Sequence, residues 1–281
     1  MDLTPRPLGL KSDDTLRLVS WNINSVRARI HHVEHLIETY QPDVICLQET
    51  KAMDDVFPSK IFQKLGYEHR ALHGQKSHHG VATLSRIKHT NEAKINWCEK
   101  GDARHVQVDV GGFELHNFYV PAGGDEPDVT INEKFAHKMQ FLAEMETWAG
   151  SLNKPTIMLG DLNIAPLEHD VWSHKALLKV VSHTPVEVEA MNRIFKAHDW
   201  VDAVRHFYDD DSTKLYTWWS YRARDWKAAN KGRRLDHIWV SNSLKPALKD
   251  ATIATNLRGV EKPSDHAPII LDLDKSKLPD A

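Results

Sequence analysis

Apolar positions in this chain come in two spacings that take turns along it, short runs alternating every second residue and longer stretches recurring every three or four. Leu16 to Asn22 reads as a strand. Behind it Val26, Ile30, Val33, Ile37 and Tyr40 fall on one helical face, with Asn24 or Ser25 as the cap and Pro42 as the stop. Val44 to Leu47 is a buried strand, Ser59 to Leu65 a short helix closed by Gly66, and Tyr67 to Leu72 and Gly80 to Ser85 are further strands. Arg104 to Val110 and Phe113 to Val120 flank Gly111-Gly112, the signal of a two-residue hairpin. The clearest helix runs from Ile131 to Ala149, with Ile131, Phe135, Met139, Leu142, Met145 and Ala149 on one side and Gly150 as its stop. Thr156 to Leu159, apolar between Pro155 and Gly160, suits a strand buried on both faces. A helix carrying Val188, Met191, Ile194 and Phe195 follows, and Leu235 to Val240 and Ile269 to Leu273 complete the strands.

The 281 residues, 41% of them hydrophobic, can bury one large core, and no linker-like or low-complexity stretch divides them. One domain over residues 15–275 is expected, after a polar, flexible segment 1–14 and before a tail 276–281. A net charge of -3 does not by itself suggest a nucleic-acid binder, so any such surface must be a local patch. Only Cys46 and Cys98 are present, and Cys46 lies in an apolar run, which argues against a disulfide framework and for a reducing cytoplasm. No apolar run has the length of a signal peptide or membrane span, and a monomer without membrane partners is expected.

Chemistry concentrates where the predicted strands end. Asn22 closes the first, Glu49 follows the second, and Tyr119 ends the hairpin beside Pro121. Asp161 and Asn163 follow the central run, Asp236 opens a later strand, and Asp265-His266 sits in a stiff loop between Pro263 and Pro268. Alone, each has an ordinary explanation: an Asx turn, a solvated terminus, a rim tyrosine or a surface histidine. His78 and His79 are expected on a polar loop in water. Between Tyr221 and Arg234 six basic residues face one acid and are interleaved with Tyr221 and Trp226, a pattern suited either to solvent or to a phosphate backbone with exposed bases. Several carboxylates without matching cysteines favour a hard cation such as Mg²⁺ or Mn²⁺ over zinc, and with a histidine they supply the parts for hydrolysing a phosphate ester.

The same segments resemble the exonuclease III family of abasic-site DNA repair nucleases, within the endonuclease/exonuclease/phosphatase superfamily. The resemblance is carried by Ser20-Trp-Asn-Ile-Asn-Ser-Val-Arg27, Leu47-Gln-Glu-Thr-Lys51, Gly80-Val-Ala, Asn117-Phe-Tyr-Val-Pro121, Gly160-Asp-Leu-Asn-Ile-Ala165, Tyr216-Thr-Trp-Trp-Ser-Tyr-Arg222, Arg234-Leu-Asp236 and Glu261-Lys-Pro-Ser-Asp-His-Ala-Pro268. It implies a four-layer α/β sandwich, two packed and mostly antiparallel β-sheets flanked by helices. It also implies a metal held chiefly by Glu49, with Asn22 and Asp265 close by and Asp161 and Asn163 also in its set, and an attacking water oriented by Asp161 and held by Asn163. His266, positioned by Asp236, and Tyr119 would stabilise charge on the phosphate. Trp218 would pack against a sugar lacking its base, and Arg222, Arg224, Lys227 and Arg233 would face DNA. The implied activity is incision of double-stranded DNA 5′ to abasic sites together with attack on 3′ ends. Rival readings are a 3′–5′ exonuclease with little abasic-site activity, a phosphatase of small or lipid substrates, and a non-catalytic DNA-binding module. The family's amide after the Tyr-x-Pro turn is replaced by Ala122-Gly123-Gly124, and the loops around Trp172 to His174 and Ser182 to Pro185 also depart from its pattern.

Overall fold

The computed structural model describes residues 7–208 and 212–280. In chain order the elements are β1 (Thr15–Asn22), α1 (Ile30–Tyr40), β2 (Val44–Gln48), α2 (Ser59–Lys64), β3 (His69–His73), β4 (Val81–Ser85), β5 (Thr90–Ala93), β6 (His105–Val110) and β7 (Phe113–Tyr119). Then come α3 (Glu133–Ser151), β8 (Thr156–Asp161), α4 (His174–Leu177), α5 (Pro185–Ala197), β9 (Trp200–Asp202), β10 (Trp218–Trp219), α6 (Trp226–Ala229), β11 (Gly232–Arg233), β12 (Asp236–Ser241), β13 (Leu248–Ile253) and β14 (Ile269–Asp274). One six-stranded sheet has the order β13-β14-β1-β2-β4-β3 and the other β5-β6-β7-β8-β12-β9. Only the pairs β1–β2 and β7–β8 within them are parallel.

Strand alternation explains the four layers. Leu16 and Leu18 of β1, Ile157 and Leu159 of β8, and Ile238 and Val240 of β12 join the core between the sheets. Their opposite-facing neighbours go outward, Val19 and Trp21 against Val33, Leu36 and Ile37 of α1, and Met158 and Trp239 against α3 and α5. Both faces of each sheet are therefore covered, and the runs are apolar at almost every position. Gly111 and Gly112 both have positive φ, 58° and 83°, as a tight hairpin with Val110 opposite Phe113 requires.

Several expectations need correction. α1 starts at Ile30 without a side-chain cap: Asn24 bonds Asp265 across the neighbouring cleft, and Ser25 donates its N–H to the Glu49 carbonyl. α3 is capped by Asn132, Ile131 lies before it and is 72% exposed, and Gly150 sits inside the helix, which runs to Ser151. Residues 1–6 of the segment expected to be flexible lie outside the described residues, whereas Lys11 pairs with Asp43 at 2.6 Å and Gly9 accepts a bond from Arg17. In the tail, Leu278 packs on the inter-sheet core, and Ala281 lies outside the described residues.

Candidate active site

The alternation that buries Leu16, Leu115, Ile157 and Ile238 carries Asn22, Tyr119, Asp161 and Asp236 onto the same inter-sheet face. At that rim the apolar filling ends and a polar cleft begins. Register completes the alignment, since Asp161 lies opposite Asp236 on one side and Tyr119 on the other. Gly160 makes this end of β8 possible: its φ is +136°, and a Cβ there would lie 2.0 Å from the Phe118 carbonyl oxygen. Just below, Gln48 Nε2 donates to Asn117 Oδ1 at 2.7 Å and ties the sheets together.

The residues singled out in the sequence come together here. Asn22 Nδ2 donates to Glu49 Oε1 at 2.9 Å and to Asp161 Oδ2 at 2.8 Å, and the Tyr119 hydroxyl donates to Glu49 Oε1 at 2.9 Å. The Asn163 amide N–H donates to Asp161 Oδ1 at 3.0 Å, while the Asn163 side chain donates to the Val120 carbonyl. Asp236 Oδ2 lies 2.8 Å from His266 Nδ1, and His266 Nε2 is 3.7 Å from Asp161 Oδ2. Asp265 accepts from the Trp218 indole at 3.0 Å and from Asn24 Nδ2 at 3.1 Å.

Burial decides the charges. It pushes the Asp161 carboxyl well above the ordinary range, although His266 opposes the rise. Burial alone would strip the proton from His266, but Asp236 and then Asp161 outweigh it and lift the imidazole to about 10. Burial also raises Glu49, yet the Asn22 amide and Lys51 ammonium more than offset it, leaving a carboxylate below its usual range. Burial, then Glu49, holds the Tyr119 phenol well above its normal value, so it remains a donor.

A hard cation fits the Glu49 side. The donors there are carboxylate and carboxamide oxygens, and the Lys51 ammonium lies 3.0 Å from Glu49 Oε2 while bonding Asn24 at 2.6 Å, so this edge already balances positive charge. Asp161, Asp236 and His266 are also close enough to surround an ion. His266 already bonds one of those carboxylates and Asn22 the other, which makes that trio an ion-paired hydrogen-bonding unit. Glu49, Lys51, Asn24 and Asn163 take positive φ of 48–54°, a conformation the site imposes on non-glycine residues.

Four neighbours were missed or misread from the sequence. Asn24 joins the site instead of capping a helix, and Lys51, to which the sequence assigns no role of its own, joins it beside Glu49. His79 is half-buried beside Tyr119, with ring centroids 5.9 Å apart, and burial followed by Arg104 lowers it to about 4. Arg104 lies over the Tyr119 ring at 5.0 Å. A histidine next to the Gly80-Val-Ala segment was the one available hint. Exposed Arg222, Arg224 and Lys227 line the outer stretch, but the basic run divides after them. Arg233 turns inward over the Trp218 ring at 5.2 Å and bonds Ser182, so it is not a free surface cation. Arg234 is buried against Asp170 and Asp202 because its guanidinium can satisfy both carboxylates.

Residues 19–266 match the model of the Endonuclease/Exonuclease/phosphatase family, and the chain belongs to that family. Within it, the chain is 34% identical over 269 residues to exodeoxyribonuclease III of Haemophilus influenzae, covering 90% of this chain and 98% of that one. The fold matches an AP endonuclease from Archaeoglobus fulgidus with a TM-score of 0.85 at 28% identity, over 92% and 99% of the two chains. A 3′–5′ exonuclease from Neisseria meningitidis matches with the same TM-score of 0.85 and 28% identity, over 92% and 100%. The chain is thus a hydrolytic nuclease of the exonuclease III branch. Among the described residues no helix is long and apolar enough to cross a membrane.

Proposed function

We propose that this chain is a Mg²⁺-dependent DNA repair nuclease, acting as a cytoplasmic monomer, that cuts the backbone 5′ to an abasic site and clears nucleotides or blocking groups from 3′ ends. The observation that supports this best is the facing of Asp161 and the His266–Asp236 pair across 3.7 Å, with Asn22 and Asn163 fixing Asp161 from its other side. Asp161 takes the proton of the attacking water, whose position the Asn163 side chain helps to define. His266, held by Asp236, and the Tyr119 hydroxyl donate to phosphate oxygens as charge develops on them. Glu49, with Asn22 and Asp265 beside it, would hold Mg²⁺, for which Mn²⁺ would substitute; a bound ion there supplies charge neutralisation and a more acidic water. Trp218 offers a half-buried aromatic face for a sugar without its base, and Arg222, Arg224 and Lys227 meet the phosphate backbone.

A second reading is a 3′–5′ exonuclease with little abasic-site activity. It is favoured by Ala122-Gly123-Gly124, which puts no side-chain amide beyond the Tyr119 turn, and by the likeness to the Neisseria exonuclease. One assay decides between them: a duplex with a single synthetic abasic site, incubated with Mg²⁺ or with EDTA and resolved by product length. The expected product is one internal cut that EDTA abolishes. A 3′ ladder without that cut selects the second reading, and intact DNA in Mg²⁺ removes both.

A further inference from the structure

Lys138 of α3 and Glu187 of α5 form an ion pair with both side chains fully buried, Nζ to Oε1 at 2.5 Å. An ion pair is a costly way to join two helices, since both charges leave water and an apolar pair of similar volume would hold as well. The packing of α3 on α5 is already supplied by Phe141, Leu142, Met145, Met191 and Ile194. What the pair holds is backbone around the cleft. Lys138 Nζ also donates to the carbonyl of Asn163 at 2.9 Å and to that of Ala122 at 3.3 Å. Glu187 accepts from the Ser182 N–H at 2.9 Å and from the Thr184 N–H at 3.2 Å.

Two neighbouring segments beside the cleft are held by these bonds. Asn163 and Ser182 have φ of +54° and +88°, so each needs external support to stay in place. Asn163 leads back to Asp161, and Ala122 to Tyr119. Beside that loop, where the Ala165 N–H donates to the Ser182 carbonyl at 2.8 Å, Ser182 Oγ accepts from Arg233 at 2.8 Å, and Arg233 lies over the Trp218 ring. We propose that Lys138 and Glu187 are positioning residues, a buried clamp that sets the Asp161–Asn163 loop and the adjoining Ser182–Arg233–Trp218 group at a fixed separation beside the cleft. This rests on the nuclease reading above.

The test uses the K138M/E187Q double variant, because either single change strands a buried charge and risks unfolding. The double variant removes both charges and leaves a carboxamide oxygen at position 187 for the Ser182 and Thr184 N–H groups. It should keep the parent's circular dichroism while kcat on abasic duplex falls about 100-fold with KM little changed, as expected for a displaced catalytic loop. Amide exchange should quicken in residues 161–165 and 180–184 and stay unchanged in α3. A folded double variant with the parent's kcat, or with parental exchange in both segments, overturns the clamp. If the parent itself leaves DNA intact, the nuclease reading fails separately, and the exchange measurement still decides the clamp.

Discussion

Asp161 sits where stability and chemistry pull in opposite directions. Its carboxylate is buried at the rim of the inter-sheet core beside Asp236 and Glu49, and burial makes its charge unfavourable. Asn22, the Asn163 amide and His266 are what keep it there. Replacing it with asparagine keeps the shape and one acceptor but removes the charge that accepts a proton. Asp161→Asn should therefore lower single-turnover cleavage by roughly 10²- to 10⁴-fold. DNA affinity by fluorescence anisotropy and the melting temperature should be retained, the latter unchanged or higher. A variant that still cleaves at the parent's rate would remove Asp161 from the mechanism. The site residues at strand ends were legible because they share the alternation of buried strands. Asn24 and His79 were not, because a cap and a wet loop accounted for each without its long-range partner, and nothing local singled out Lys51.

At the level of elements, what the pattern revealed and what it hid follow from position in the sheet. The central strands β1, β2, β7, β8, β12 and β14 are covered on both faces and stand out as apolar runs. Three of the four edge strands, β5, β9 and β13, were not foreseen. β5 is exposed at every position and β9 has only three residues, so neither needs an apolar face, as suits edges that must not recruit other strands. The bend that delivers Asp161 depends on one residue of β8. Gly160→Ala would place a methyl 2.0 Å from the Phe118 carbonyl oxygen at a φ of +136°. The variant should lose about 3 kcal/mol or more of stability in urea unfolding. A loss below about 1 kcal/mol, within the ordinary range for point changes, would show that β7 and β8 separate more easily than their close approach suggests.

Across the whole molecule, the response to acid should be governed by histidines buried without charge. His105 accepts the Ile95 N–H on Nδ1 and faces His116 Nδ1 from Nε2 at 3.0 Å, so a second proton would break that relay. Burial first, and then His116, holds His105 well below the usual histidine range. His237 bonds the Ile164 carbonyl through Nε2 and has no partner at Nδ1, and burial followed by Arg234 lowers it to about 4. Above pH 6.5 neither the native nor the unfolded chain protonates these rings, and they leave stability unchanged. Between pH 6.5 and about 4 the unfolded chain takes up protons that the native state refuses, so stability falls with pH by about 1.4 kcal/mol per unit for each such histidine. His266 acts in the opposite sense, but its contribution is already complete below pH 6.5 and is lost only as pH rises toward about 10. Asp161, raised by burial, offsets the equivalent of one histidine on the acid side. Urea unfolding at pH 6.5 and 5.5 should therefore show a net loss of roughly 1 kcal/mol, the two histidines less the one that Asp161 offsets. His237→Gln, which still donates to Ile164, should remove about 1 kcal/mol, most of that loss. Equal stability at the two pH values, or an identical loss in the variant, would mean that these buried rings accept protons in the native fold.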